Sequence, residues 1–433
     1  METKRSLLDD ILSDANLNYA AKQVMANKGS AGIDRMPVSK LPDFIEKNGT
    51  EMKEKIRRRK YRPLPVRRVK IPKDGGGERD LGVPAVKDRW IEQATYQVLS
   101  PIFERTFSET SYGFRPGRKA EQAIVRSLEY MNDGYDWIVD MDLSKFFDNV
   151  NQDILMILVH KVIKDPDVES LVRRFLQSGV MVNGTFQETK VGTAQGSPIS
   201  PLLANIYLNE FDKELEARGL RFTRYADDCI ICVKSEKAAN RVMESVTRWL
   251  DKHLRVQVNT TKTKVTKPND MKYLGFAFYR SNGKWYPKPH EKSVQKLMHK
   301  LVPLLRRNWG VSLAYRIERI NAVTRGWINY FRIGNMRSKL EKIDPYIRKH
   351  LRMIIWKQWK TVRKRYESLR KLGKSKEEAW AWANSRKGIL VNGLALNYVI
   401  QNKMLEAKGF VPMVKHFDKV HNAQHVQVQL LVF

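Results

Sequence analysis

The chain has 433 residues, enough for two or three domains with cores of their own, and at 42% hydrophobic and 10% aromatic it folds rather than staying disordered. Its 79 Lys and Arg against 47 Asp and Glu leave a net charge of +32, an excess that repels itself unless an anion neutralises it; nucleic acid fits, because each neutralised phosphate also releases a counterion. A membrane protein is disfavoured, with no run of about eighteen apolar residues and no signal-peptide pattern at Met1–Arg5, so a cytoplasmic protein is expected.

Residues 1–50 read as helical segments broken by Gly29, Gly32 and Gly49. Between Lys53 and Lys70 stand ten Lys or Arg and one Glu, leading through Tyr61-Arg62-Pro63-Leu64-Pro65 into extended chain. From about 80 to 280, helices (121–132, 152–163, 201–218, 236–253) alternate with short strands (137–142, 224–233, 256–258, 273–279), an α/β pattern. Cys229 and Cys232 lie in one apolar β-branched run, where residues three apart face opposite sides of a sheet, so they read as core and not as a metal pair. His421 and His425 lack the Glu a metalloprotease helix needs. Past Tyr286-Pro287-Lys288-Pro289, where a boundary is expected, the chain turns helical and basic. Residues 291–370 hold 21 Lys or Arg against 5 Asp or Glu, a net +16 and half the total excess. Ile317, Ile320, Val323, Trp327 and Phe331 recur at helical spacing, which makes Trp327 core. Trp356 and Trp359, beside Lys357 and Lys360, suit either core packing or stacking on bases.

The acids carry the chemistry. Trp137-Ile138-Val139-Asp140-Met141-Asp142 is an apolar strand running into carboxylates, and in Tyr225-Ala226-Asp227-Asp228-Cys229-Ile230 two adjacent aspartates interrupt a strand. Neighbouring carboxylates among β-branched residues are costly as bare charges and repel unless a cation lies between them. Mg²⁺ held by a few carboxylates and substrate phosphates is the chemistry such a cluster serves, and two such ions drive in-line nucleotidyl transfer. Asp140 and Asp142 share a strand face, so spacing alone does not choose between them.

Several blocks, in order, resemble the bacterial group II intron reverse transcriptases, or intron maturases, over the chain to about residue 400. They are Ile71-Pro72-Lys73 through Arg79-Asp80-Leu81-Gly82-Val83-Pro84, Ser111-Tyr112-Gly113-Phe114-Arg115-Pro116, Asp142 through Phe147-Asp148, Gly192-Thr193-Ala194-Gln195-Gly196-Ser197-Pro198, the Asp-Asp block, Lys272-Tyr273-Leu274-Gly275-Phe276, and Arg325-Gly326-Trp327-Ile328-Asn329-Tyr330-Phe331. The resemblance implies a right-hand polymerase of class α/β plus α: an extension and start of fingers at 1–60, fingers and palm at 61–286, a helical basic thumb or maturase domain X at 287–385, and a C-terminal segment at 386–433 suited to DNA. By family motif, Asp142, Asp227 and Asp228 hold two Mg²⁺ (Mn²⁺ as substitute). Asp142 is chosen over Asp140 because the family places an aromatic five residues on, here Phe147, which packs under the sugar and selects deoxynucleotides.

Lys73 and Arg79 match the residues that hold the triphosphate, across the turn Asp74-Gly75-Gly76-Gly77. Gln195 matches the residue beside the nascent base pair, and Ala194 stands where the family usually has proline. Lys262 is the general acid for pyrophosphate, with Lys264 nearly as suitable. Arg115, Arg325, Arg332, Arg348, Arg352, Lys357 and Lys360 are assigned to nucleic acid. The implied partners are group II intron RNA, an RNA template with DNA primer, dNTPs and target DNA. The implied function is splicing help and target-primed reverse transcription of the intron. Two alternatives stand beside it: a domesticated relative in defence or repair, and a non-catalytic RNA-binding splicing cofactor. Nothing past about 385 resembles the Cys- and His-rich endonuclease domain of many relatives, so insertion is expected to use DNA already nicked or single-stranded.

Overall fold

A computed structural model describes residues 6–72, 76–182, 184–385 and 396–430, with side chains described through residue 421. The chain divides into two compact units, Met1–Lys267 and Pro268–Phe433.

Among the described residues the first unit holds eight strands: β1 (Val66–Pro72), β2 (Glu78–Val83), β3 (Trp137–Met141), β4 (Val180–Val182), β5 (Thr185–Gln187), β6 (Arg221–Tyr225), β7 (Asp228–Val233) and β8 (Lys264–Thr266). They form two sheets, in the orders β2-β1-β4-β5 and β6-β7-β3-β8. The second is antiparallel throughout. Its two central strands pair Val139 with Ile231 and Met141 with Cys229, and these side chains enter the main core. Alternation therefore turns Ile138, Asp140 and Ile230 to the other face. Cys229 and Cys232 are free, buried and on opposite faces of β7.

The expected helices form at Ala120–Asn132, Gln152–Ile163, Ser200–Ala217 and Glu236–Trp249. Ser235 starts the last of these, its hydroxyl accepting from Ala238 N and so meeting one of the donors a helix start leaves open. Three expectations need correction. Gly49 does not break a helix: it is buried within Leu41–Arg57, close to Ile45 and Trp90, so tertiary packing overrides its low propensity. The stretch 224–233 is two strands joined by a turn, not one. Residues 256–258 contribute a single bridge, Val258 to Leu143, in place of a strand.

In the second unit, β9 (Phe276–Ser281) and β10 (Lys284–Pro289) form a hairpin about Asn282 and Gly283, both at positive φ (48° and 79°), the geometry a two-residue turn needs and Asn-Gly supplies. The hairpin packs on the helices that follow. Phe276 and Phe331 rings lie 4.8 Å apart, and Asn335 N donates to Pro287 O at 2.9 Å. That packing is why the compact units divide at Lys267/Pro268 and not at the boundary expected near residue 286. Helices Glu291–Leu304, Leu313–Phe331, Arg337–Gln358 and Met413–Leu430 make up most of the rest. Asp344, 2% exposed, accepts from Met413 N and Val414 N and so caps the last helix with a carboxylate against its N-terminal dipole. Trp356 is core at 1% exposed, while Trp327 is half-buried and donates to Ser293 O.

Candidate active site

The pair Tyr225–Asp228 closes the β6–β7 ladder, leaving Ala226 and Asp227 as a two-residue turn. Ala226 is held at φ +59°, a conformation costly for a residue with a Cβ. A buried network holds it there. Arg224, 1% exposed, donates from Nε and Nη2 to Asp212, which is 0% exposed, and from Nη1 to Asn205 Oδ1 at 3.0 Å and Ala226 O at 2.9 Å. Asn205 Nδ2 donates in turn to Gly113 O at 2.9 Å. Gly113 lies so close that a Cβ there would stand 2.2 Å from Ala226 N, so the Ser-Tyr-Gly-Phe-Arg-Pro block needs its glycine to let the turn pass.

The β3–β7 register places Asp142 next to Asp228. The last pair is Met141–Cys229, and Asp142 and Asp228 follow it at the open end of the ladder. Asp140 sits one step inward, paired with Ile230 on one side and Lys264 on the other. Asp142 is anchored through its backbone, its N–H donating to Thr263 Oγ1 and its C=O accepting from Asn259 N at 2.8 Å. Its carboxylate meets Lys262 Nζ at 2.9 Å.

The acids disturb one another. Asp228 is open to solvent at its edge, yet desolvation in the cleft, with repulsion from Asp227, Asp142 and Asp140, pushes its carboxyl up to about 7 against the pull of Lys262. Burial and Asp142 likewise raise Asp227, with Arg79 and Arg224 opposing. Burial and Asp142 lift Asp140 to about 6, against Lys264. Among the described residues no three His, Cys, Asp or Glu side chains close into a metal cage, and the charge that balances Asp142 is the Lys262 ammonium.

Arg79 is exposed on β2, near enough to Asp227 to act on its charge, whereas Lys73 lies outside the described residues. Gln195 lines a cavity of about 320 Å³ with Arg68, Asp80, Lys145 and Asp148. Phe147 is half-buried, its ring 5.5 Å from that of Phe146, which is core at 2% exposed.

Two family models match the chain, "Reverse transcriptase (RNA-dependent DNA polymerase)" over residues 71–278 and "Group II intron, maturase-specific domain" over 294–373. Protein YkfC of Escherichia coli K12 is 31% identical over 310 residues, 62% of this chain and 81% of that protein. The chain belongs to the reverse transcriptases that carry a group II intron maturase domain. The group II intron-encoded protein LtrA of Lactococcus lactis is 32% identical over 216 residues, half of this chain and 36% of LtrA. A putative COX1/OXI3 intron 2 protein of Saccharomyces cerevisiae is 34% identical over 224 residues, half of this chain and 25% of that protein. The chain thus spans about a third or less of these two intron-encoded relatives.

Within this reverse transcriptase, two of the residues assigned to nucleic acid serve the fold instead. Arg115 is 6% exposed and spends its guanidinium on Glu104 and on the carbonyls of Ser108 and Ser111. Arg352 is 3% exposed, donates to Ile400 O and Asn402 Oδ1, and is pushed down to about 10 by burial and by Arg348. Both are corrections to the sequence reading, where a basic residue in a basic stretch looks the same whether it points in or out. Arg325, Lys357 and Lys360 are exposed; Arg332 and Arg348 are half-buried, Arg348 lying 3.7 Å from Asp344. The sequence reading missed Arg224, Asp212 and Asn205. Asp212 and Asn205 lie seven apart on one helix, and a polar pair at that spacing among Leu, Ile and Phe is the signal that marks them. Among the described residues no helix is long and apolar enough to cross a membrane.

Proposed function

We propose that the chain is an RNA-directed DNA polymerase of the group II intron type, using two Mg²⁺ held by Asp142, Asp227 and Asp228, and that its basic second unit grips the intron RNA it copies. The observation that carries the reading is the meeting of Asp142 and Asp228 at the open end of one ladder with Asp227 in the adjoining turn, a cluster in which burial and neighbouring carboxylates raise Asp227 and Asp228 and which wants a cation. The residues fit Mg²⁺, which keeps several waters and takes one or two carboxylates plus substrate phosphates, so a closed protein cage is not required. When bound, the ions supply Lewis-acid activation of the 3′-hydroxyl and neutralise the leaving pyrophosphate. Asp142 suits the role better than Asp140 because it stands beside Asp228, while Asp140 is engaged one step inward by Lys264.

Arg79 contacts the triphosphate. Lys262, 66% exposed, swings from Asp142 to protonate the pyrophosphate. Gln195 meets the nascent base pair, and Phe147 packs under the sugar. Extension of a DNA primer on an RNA template with Mg²⁺, set beside Asp227→Ala, tests the reading; equal extension by the two proteins rejects it, and an inactive wild type that still promotes splicing favours the non-catalytic cofactor.

Two further outcomes follow. Phe147→Ala is expected to raise ribonucleotide use relative to deoxynucleotide use by roughly ten-fold or more, the scale of removing one steric clash. Competing dNTP and rNTP incorporation measures it, and an unchanged ratio removes the gate assignment. Replacing Lys357 and Lys360 by Gln is expected to shallow the salt dependence of RNA binding by about 1.4 logarithmic units, about 0.7 for each single-strand phosphate left without its lysine, at constant melting temperature. Arg352→Ala is expected to lower the melting temperature instead, because its removal unties Ile400 and Asn402.

A further inference from the structure

The loop that carries Gln195 is tied down on three sides. Gly192 N donates to Val150 O at 2.8 Å and Thr193 N to Phe147 O at 2.7 Å. Gly82 N, on β2, donates to Gln195 O at 2.9 Å. The third tie is a side chain. Ser197 Oγ donates at 2.8 Å to Glu92 Oε2, both residues being buried (5% and 4% exposed), while Ser197 N folds back on Ala194 O at 3.1 Å. Gln195 thus lies in a turn with one end pinned by β2 and the other by Glu92.

Glu92 comes from the helix Val86–Glu104, which otherwise buries Trp90, Ile91, Ala94 and Leu99 along this stretch. The charged and titratable groups around it are Asp88 and Arg89 on its own helix and Tyr61 from outside it. A carboxyl in such a place is costly. Burial and Asp88 push it to about 8, with Ser197 and Arg89 pulling the other way. An apolar side chain would pack there without that cost, so the acid answers to a task other than stability.

We propose that Glu92 is a positioning residue for the incoming nucleotide: by holding Ser197 it fixes the Ala194–Ser197 turn and, through it, the direction in which Gln195 points. This rests on the reading of Gln195 as the residue beside the nascent base pair. Because the group acts on binding geometry, its removal changes the KM for dNTP more than kcat.

Steady-state primer extension with Mg²⁺ and varied dNTP on the full chain tests it. Glu92→Ala is expected to raise KM for dNTP about five-fold, the worth of one buried hydrogen bond, and to leave kcat within about two-fold. Glu92→Gln keeps an acceptor for Ser197 and is expected to restore KM. Ser197→Ala, a smaller change that keeps the fold should Glu92→Ala not, is expected to match the raised KM. The pH profile separates positioning from bulk packing. As pH rises through about 8 the wild-type carboxyl ionises, and the carboxylate accepts from Ser197 more strongly than the acid does, so KM is expected to fall between pH 7 and 9, whereas Glu92→Gln stays level.

Unchanged KM in Ser197→Ala, or a Glu92→Gln profile as steep as wild type, overturns the proposal while Gln195→Ala still raises KM. If Gln195→Ala leaves KM at the wild-type value, the reading of Gln195 fails, and the proposal fails with it for that separate reason.

Discussion

Asp227→Ala is expected to abolish primer extension, by at least about a thousand-fold, while leaving the protein as stable as wild type or slightly more so. The size of the loss follows from the role proposed for Asp227 in placing two ions, each of which would supply several kcal/mol to the transition state. The stability half follows from the geometry. Asp227 stands in a turn whose hold comes from Arg224, and its carboxylate is raised by burial and by Asp142, so the native state bears a cost for keeping it.

Asp228→Asn makes the sign plain in metal-free buffer. The folded carboxyl binds its proton up to about pH 7, the unfolded one only up to about 3.8, so across that window the folded state holds more protons and stability falls as pH rises. The amide does not titrate. Its gain over wild type is therefore expected to be absent near pH 4, to grow up to pH 7 and to stay level above it. Adding Mg²⁺ is expected to stabilise wild type and not the variant. Thermal unfolding from pH 4 to 8, with chelator and with Mg²⁺, reads both effects; a variant that loses stability at pH 8 in chelator makes these acids structural.

The active-site strands were legible because their composition is extreme. Trp137–Met141 runs into Asp142 and Asp228–Val233 starts on an acid, with Ile, Val, Cys and Trp filling most of the rest, a conflict between burial and charge that local propensity does not resolve and a cation does. The Ala226–Asp227 turn was not legible. Ala226 is no turn former, and it takes φ +59° only because Arg224, Asn205 and Gly113, separated by up to about a hundred positions, converge on it. The boundary expected near residue 286 followed the shift to a basic, helical composition, whereas the local hairpin signal Asn282-Gly283 keeps Phe276–Pro289 together. Charge was legible in sum and not by residue. The +16 of residues 291–370 marks a basic unit, but Arg352 turns inward there while Lys357 points out.

The largest stability effect is expected at the Arg224–Asp212 pair. Arg224→Ala leaves the fully buried Asp212 carboxylate without its guanidinium, an uncompensated charge worth roughly 3–5 kcal/mol. Asp212→Ala strands the arginine in the same way. Exchanging both partners for apolar side chains of similar volume, Arg224→Met with Asp212→Leu, is expected to recover most of that loss, since a buried ion pair often contributes less than the packing that replaces it. Activity is not expected to return with it. The methionine offers no donor to Ala226 O or Asn205 Oδ1, so the strained turn relaxes and Asp227 leaves its place beside Asp142. Urea unfolding and primer extension on the three proteins separate the two roles. A double variant that is stable and copies RNA at the wild-type rate reduces the pair to filling, whereas a stable and inactive one makes Arg224 the residue that holds the strained turn in register with Asp142 and Asp228.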